Sequence, residues 1–179
     1  YYYSTESMTT KELFFVECDE SYDIMKKETG RFTYYNAQAD EFYYLLDETL
    51  YKVSLADMTQ TALVTDIPSA KYLVSANRKL IAYPNAAAED QVTVITIQNF
   101  ETGESYEKTC ANGDLLLALG FVENDLIYGI AHGADVITTS DGQAILPLYE
   151  LFIMSDHGEQ KKDYTKDGVY IMNASVGQD

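Results

Sequence analysis

The stretch Lys79–Glu104, "KLIAYPNAAAEDQVTVITIQNFETGE", decides the fold. It holds a short apolar run, a polar break, a second run reading Val-Thr-Val-Ile-Thr-Ile, and a turn at Glu101-Thr102-Gly103. Alternation with a period of two marks a strand with one face buried. A Gly at the turn reaches φ > 0 without a Cβ clash, which suits a hairpin. The stretch is therefore either one hairpin in an ordinary sheet or one copy of a repeat.

The rest of the chain favours a repeat. A polar residue followed by an aromatic-aliphatic strand recurs at Glu41 ("EFYYLL"), Lys79 ("KLIAYP"), Asp125 ("DLIYGI") and Gly168 ("GVYIMN"), in steps of 38, 46 and 43 residues. An alternating strand with a polar turn follows each of the first three, as "LYKVSLADMTQT" from Leu50, "VTVITIQNFETGE" from Val92 and "LYELFIMSDHGEQ" from Leu148. Val53 and Leu55 align with Ile95 and Ile97, then with Leu151 and Ile153. The turns Met58-Thr59-Gln60, Glu101-Thr102-Gly103 and Asp156-His157-Gly158 align as well. A fainter copy opens the chain with "ELFFVE" and "YDIMKKETGRF", where Glu28-Thr29-Gly30 repeats the later Glu-Thr-Gly. On that match, Tyr22 to Gly30 reads as strand plus turn rather than helix. In the doublets Tyr34-Tyr35 and Tyr43-Tyr44, neighbouring side chains are expected on opposite strand faces, one packed and one facing out.

Four strands per copy at a period of about 40 residues is the spacing of propeller blades. The expected fold is all-β, a propeller-like array of four-stranded antiparallel blades, incomplete or small. It forms one domain over 1–179, with blades near 11–37, 38–70, 71–111 and 112–166 and the start of another at 167–179. The opening "YYYSTES" has no initiator Met, and it suggests a processed protein or a segment of a larger ring.

The pattern resembles the β-propeller repeats of the bacterial Tol-system and Trp-Asp-repeat type. The residues that carry the likeness are Ser75-Ala76-Asn77-Arg78 at the Ser-Pro-Asp-Gly-like turn, Leu80-Ile81-Ala82-Tyr83, Val94-Ile95-Thr96-Ile97 and Thr102-Gly103-Glu104. The likeness runs over most of Glu12 to Tyr164. The chain departs from the Trp-Asp signature, since it has no Trp. The resemblance implies a bacterial protein, displayed outside the cytoplasm or at the cell surface.

Composition narrows the partners. Lys and Arg number 12 and Asp and Glu 29, a formal net charge of −17, which repels phosphate backbones and anionic lipid headgroups. No nucleic-acid partner is expected. The plainer meaning of the acidity is solubility; the sharper one is attraction for cations or a basic partner. No apolar run reaches the length of a membrane-spanning helix, so no membrane insertion is expected within this chain. Cys18 and Cys110 either form one long-range bridge or stay as two buried thiols. An open ring would expose strand edges, which predicts self-association.

Signatures of chemistry are missing. There is no Gly-x-Ser-x-Gly elbow, no His-Glu-x-x-His, no Cys-x-x-Cys, and no Gly-rich phosphate cradle. The acidic clusters lack the spacing of a calcium loop. No catalytic residue, metal or cofactor is therefore expected. One departure stands out, the extra residues His132 to Pro147, "HGADVITTSDGQAILP", between paired strands of the third copy. Its plainer reading is a tolerated insertion. As a partner-binding element it nominates His132, Asp135, Ser140, Asp141 and Gln143. The expected function is a non-catalytic propeller module that binds a protein, peptide or glycan. The alternatives are the propeller portion of a larger hydrolase, such as a prolyl-oligopeptidase-like peptidase, and a purely structural scaffold.

Overall fold

The computed structural model describes residues 1–12, 15, 21–68 and 71–177. The chain divides into two compact units, Tyr1–Asp66 and Ile67–Asp179. The architecture is all-β, built from three four-stranded antiparallel sheets in chain order.

The first unit opens with a two-stranded hairpin, β1 (Tyr2–Ser4) and β2 (Thr9–Lys11). The "ELFFVE" run that was expected to open a first blade falls largely outside the described residues. After it comes a helix, α1 (Tyr22–Arg31), where strand plus turn was expected. The local chemistry explains the difference. The Ser21 hydroxyl accepts the N–H of Ile24 at 3.4 Å and the Ser21 carbonyl accepts that of Met25 at 3.0 Å, an N-terminal cap. Asp23 sits in the first turn, and Lys26 lies over the ring of Tyr22 one turn back. The Glu-Thr-Gly match was coincidental.

The first sheet follows, with β3 (Thr33–Asn36), β4 (Glu41–Leu46), β5 (Thr49–Ser54) and β6 (Thr59–Val64) paired as neighbours in that order. Met25 of the helix packs against Tyr44, Leu46 and Val53 on one face. Tyr44 stacks on Tyr51 at 5.2 Å and on Phe42 at 6.0 Å. Tyr43 points to the other face, tilts against Tyr34, and donates its hydroxyl to Glu41. Tyr35 is half exposed, as expected of one member of a doublet. Tyr43 and Tyr44 are both buried, so neither member of that doublet faces out.

The second unit carries the other two sheets. One is β7 (Leu73–Val74), β8 (Leu80–Pro84), β9 (Val94–Asn99) and β10 (Ser105–Thr109). The other begins with β11 (Asp114–Val122) and β12 (Asp125–His132). A small separate hairpin then intervenes, β13 (Ile137–Thr138) and β14 (Ala144–Ile145). The sheet resumes with β15 (Leu148–Met154) and β16 (Gln160–Thr165) in the order β11-β12-β15-β16. The two sheets share one core, in which Leu80, Ala82, Ile95 and Ile97 meet Leu116, Leu126, Tyr128, Phe152 and Met154.

Two details refine the repeat. In the hairpins after β5, β9 and β15, Met58, Gly103 and Gly158 all take φ near +60° to +80°, so the aligned turns are equivalent in backbone. The packed face of β15, however, falls on Phe152 and Met154 rather than on Leu151 and Ile153. Ile130 pairs with Glu150 and Ala131 with Leu148, which leaves Tyr149 as a bulged extra residue. A bulge of one residue turns the following side chains to the other face.

The opposite face of the third sheet is also apolar. Leu115, Ala131 and Leu148 gather there, with Leu117, Leu119, Leu151 and Ile171 partly buried against them. Ile171 reaches this face by exchanging two backbone hydrogen bonds with Leu148, at 2.8 and 3.0 Å.

Candidate functional site

The insertion between β12 and β15 is rooted at His132. Its Nδ1 lies 2.7 Å from Asp114 Oδ1, and its ring stacks on Tyr149 at 4.1 Å. The bulge at Tyr149 aims that side chain at the same carboxylate, and its hydroxyl donates to Asp114 Oδ2 at 3.0 Å. Burial first, and the Asp114 hydrogen bond second, push the Tyr149 phenol up to about 12. The neighbouring Cys110 is a free thiol that donates to the Asp114 carbonyl at 3.0 Å, and burial pushes its pKa up. Cys18 lies outside the described residues.

A short 3-10 turn at Gly133–Asp135 leads from this root to the β13–β14 hairpin. The hairpin tip is a tight loop. Thr139 N–H donates to the Gln143 carbonyl and Gly142 N–H to the Thr139 carbonyl, each at 2.9 Å, with Gly142 at φ +83°. The Thr139 hydroxyl also donates to Asp141, which holds that carboxyl below the usual aspartate range.

The five nominated residues therefore occupy three places. Ser140, Asp141 and Gln143 share the tip. Asp135 borders a shallow hollow of about 310 Å³ with Pro147, Tyr170 and Met172. His132 stays at the root, paired with Asp114. Of the five, only Gln143 lines a cleft of about 470 Å³ beside the hairpin.

That cleft has a volume of about 470 Å³ and lies between the hairpin and the 3-10 turn Glu89–Gln91. Lys71, Glu89, Asp90, Thr138 and Gln143 give it a polar lining. A second cleft of about 350 Å³ is lined by Leu117, Ile145, Leu146, Leu148 and Met172. Both clefts touch Glu89 and Ala144, so they form one groove with a polar end and an apolar end. Sequence reasoning missed Glu89 and the apolar end. "AAAEDQ" reads as a solvated loop, and only the folded chain brings it beside a hairpin more than forty residues away.

Among the described residues, no group of three or more His, Cys, Asp or Glu is placed to hold a metal ion. No helix among them is long and apolar enough to cross a membrane.

No family model and no curated protein matches the chain. Among solved structures, it is similar to the WD40 repeats of RRP9, with 10% identity over 77% of this chain and a TM-score of 0.36. It is similar to U3-55K at 10% identity over 77% of this chain, with a TM-score of 0.37. It is also similar to an acylaminoacyl peptidase of Pyrococcus horikoshii, at 11% identity over 75% of this chain and 22% of that one, with a TM-score of 0.37. The chain spans 39% of the length of the first two.

Proposed function

We propose that the chain is a non-catalytic propeller-type module that binds a protein or peptide partner in the groove beside its inserted hairpin. The observation that carries this reading is the β13–β14 hairpin itself. It interrupts the third sheet between two paired strands and walls a cleft of about 470 Å³ against Glu89 and Asp90. Clefts on a rigid scaffold, lined from loops, are where binding residues concentrate. The net charge of −17 favours a basic partner over an acidic one.

The same reading includes self-association through outer strands. Among the described residues, β6 and β16 each end the strand order of their sheet, and both are exposed along nearly their whole length. Light scattering on the purified chain tests this self-association, and a monomer at every concentration removes it. A bacterial origin and a place outside the cytoplasm rest on the Tol-type resemblance of Ser75–Arg78 and the strands after it.

The binding reading is tested with tiled peptide and glycan arrays, probed with the chain and with a variant in which residues 136–146 are replaced by Asn-Gly. Peptide binding that the replacement abolishes supports it. Binding that ignores the replacement, or turnover of a hydrolase substrate panel by the chain, overturns it.

A further inference from the structure

We infer that β14 accepts an extended peptide as a third strand, with a cationic side chain at Glu89 and Asp90 and an apolar side chain among Leu117, Leu146, Leu148 and Met172. This rests on the groove being the binding site, and it names the occupant and how it is held.

The backbone supplies the first argument. Among the described residues, β13 and β14 form a sheet of two strands, with Thr138 opposite Ala144 and Ile137 opposite Ile145. The Thr139–Gln143 hydrogen bond fixes the phase of the ladder. Antiparallel pairs alternate between facing hydrogen bonds and outward-turned groups. The next pair, Thr138 and Ala144, is therefore the outward one. The N–H and C=O of Ala144 point away from β13 and have no partner among the described residues. Ala144 is also the residue at which the two clefts meet. A free strand edge inside a groove is a template for strand addition, in which the main chain gives affinity and alternate side chains give specificity.

The groove's chemistry supplies the second argument. At the polar end the carboxylates of Glu89 and Asp90 line the wall. Lys71 meets Glu89 at 2.8 Å, but both side chains of that pair are about two-fifths exposed, so a peptide cation competes with it at little cost. At the other end Leu146 and Leu148 are buried, while Met172 is half exposed and unbranched, a side chain that adapts to an incoming apolar group. A nucleic acid or an acidic peptide would meet repulsion at Glu89 and Asp90. A glycan would leave the apolar end unmatched.

The test uses acetylated, amidated hexapeptides carrying one Lys and one Leu at varied separation, compared by fluorescence anisotropy with Lys-to-Glu and Leu-to-Ser counterparts. Hydrogen exchange is followed at residues 143–146. The expected result is that Lys/Leu peptides bind, slow exchange at Ala144, and lose affinity by about tenfold when the peptide's own amides are N-methylated. Glu89→Lys in the folded chain should swing the preference to the Glu-bearing peptide. Binding without protection at Ala144, or indifference to Glu89→Lys, overturns the strand-addition site and leaves the module's binding role standing. Failure of every hexapeptide, with glycan binding that depends on the hairpin, overturns the peptide as occupant but not the groove. Failure of all probes overturns both. N-methylation acts on the peptide alone, so the result does not depend on any variant folding.

Discussion

Asp114 and His132 face each other across the first pair of β11 and β12, with Oδ1 and Nδ1 2.7 Å apart. Asp114 also accepts the Tyr149 hydroxyl at 3.0 Å, so one carboxylate ties three strands together where the inserted hairpin leaves the sheet. Asp114→Asn removes the charge and keeps the size. The Tyr149 phenol, raised to about 12 by burial and then by Asp114, should titrate lower in that variant. Carbon-13 labelling of tyrosine followed by NMR against pH reads this directly. An unmoved Tyr149 titration would mean that burial alone sets it. Asp114→Ala should loosen the hairpin as well, seen as faster proteolytic nicking between 133 and 147.

Met58 takes φ +57° at the turn where the other two sheets place Gly103 and Gly158. A side chain in the left-handed region crowds its own carbonyl. Met58→Gly should raise stability by about 1 kcal/mol, measured by urea unfolding. Gly103 and Gly158 then separate backbone strain from crowding. A Cβ at Gly103 meets nothing within 4 Å, while one at Gly158 would lie 2.8 Å from the ring of Tyr106. Gly158→Ala should therefore cost more than Gly103→Ala, by about 1 kcal/mol or more. Equal losses would show that Tyr106 moves aside freely.

Glu41 accepts hydrogen bonds from Lys52, at 2.9 Å, and from Tyr43. Lys52 first, then Tyr43, hold its carboxyl below the ordinary glutamate value of 4.5. A lowered folded pKa gives stability that is present above the unfolded value and lost as pH falls through the folded one. Unfolding free energy should decline on acidification from about pH 5 to about pH 3, and Glu41→Gln should flatten that decline. Identical slopes for the two proteins would remove Glu41 from the acid response.

The turns and strands were the legible part of this chain. The hairpins after β9 and β15 announce themselves within about ten residues, through alternation and a Gly at φ > 0, whereas Met58 gives no such signal after β5. Ser75 shows how local the information is, since its hydroxyl and backbone together hold the Leu80 N–H and the Arg78 N–H. The Tyr149 bulge was not legible, because an extra residue is defined only by the partner strand across from it. The groove was hidden for the same reason, since Glu89 and Ala144 meet only after two sheets have packed. The helix carries a local signal that a second one opposes. Ser21 before Tyr22-Asp23 is a cap signal, but Glu28-Thr29-Gly30 imitates a hairpin turn. Ser21→Ala should therefore destabilise α1 by about 1 kcal/mol, read as faster amide exchange confined to its first turns. No change there would mean that Met25 packing, rather than the cap, sets where the helix begins.

Tyr128 is wholly buried between the two sheets of the second unit, and its hydroxyl has no hydrogen-bond partner among the described residues. Its ring stacks on Phe152 at 5.1 Å, and Lys108 lies 5.7 Å from the ring centre. Burial first, and the charge of Glu150 second, push the phenol up to about 12. The ring thus does the packing while the oxygen carries only a desolvation cost. A buried, unsatisfied polar group costs about 1–3 kcal/mol, and removing it without changing shape recovers part of that. Tyr128→Phe should keep the stack and the cation contact and raise stability by about 1 kcal/mol in urea unfolding. A loss of stability instead would mean that the hydroxyl holds an ordered water between the sheets, and Tyr128 would then be a polar anchor of that core.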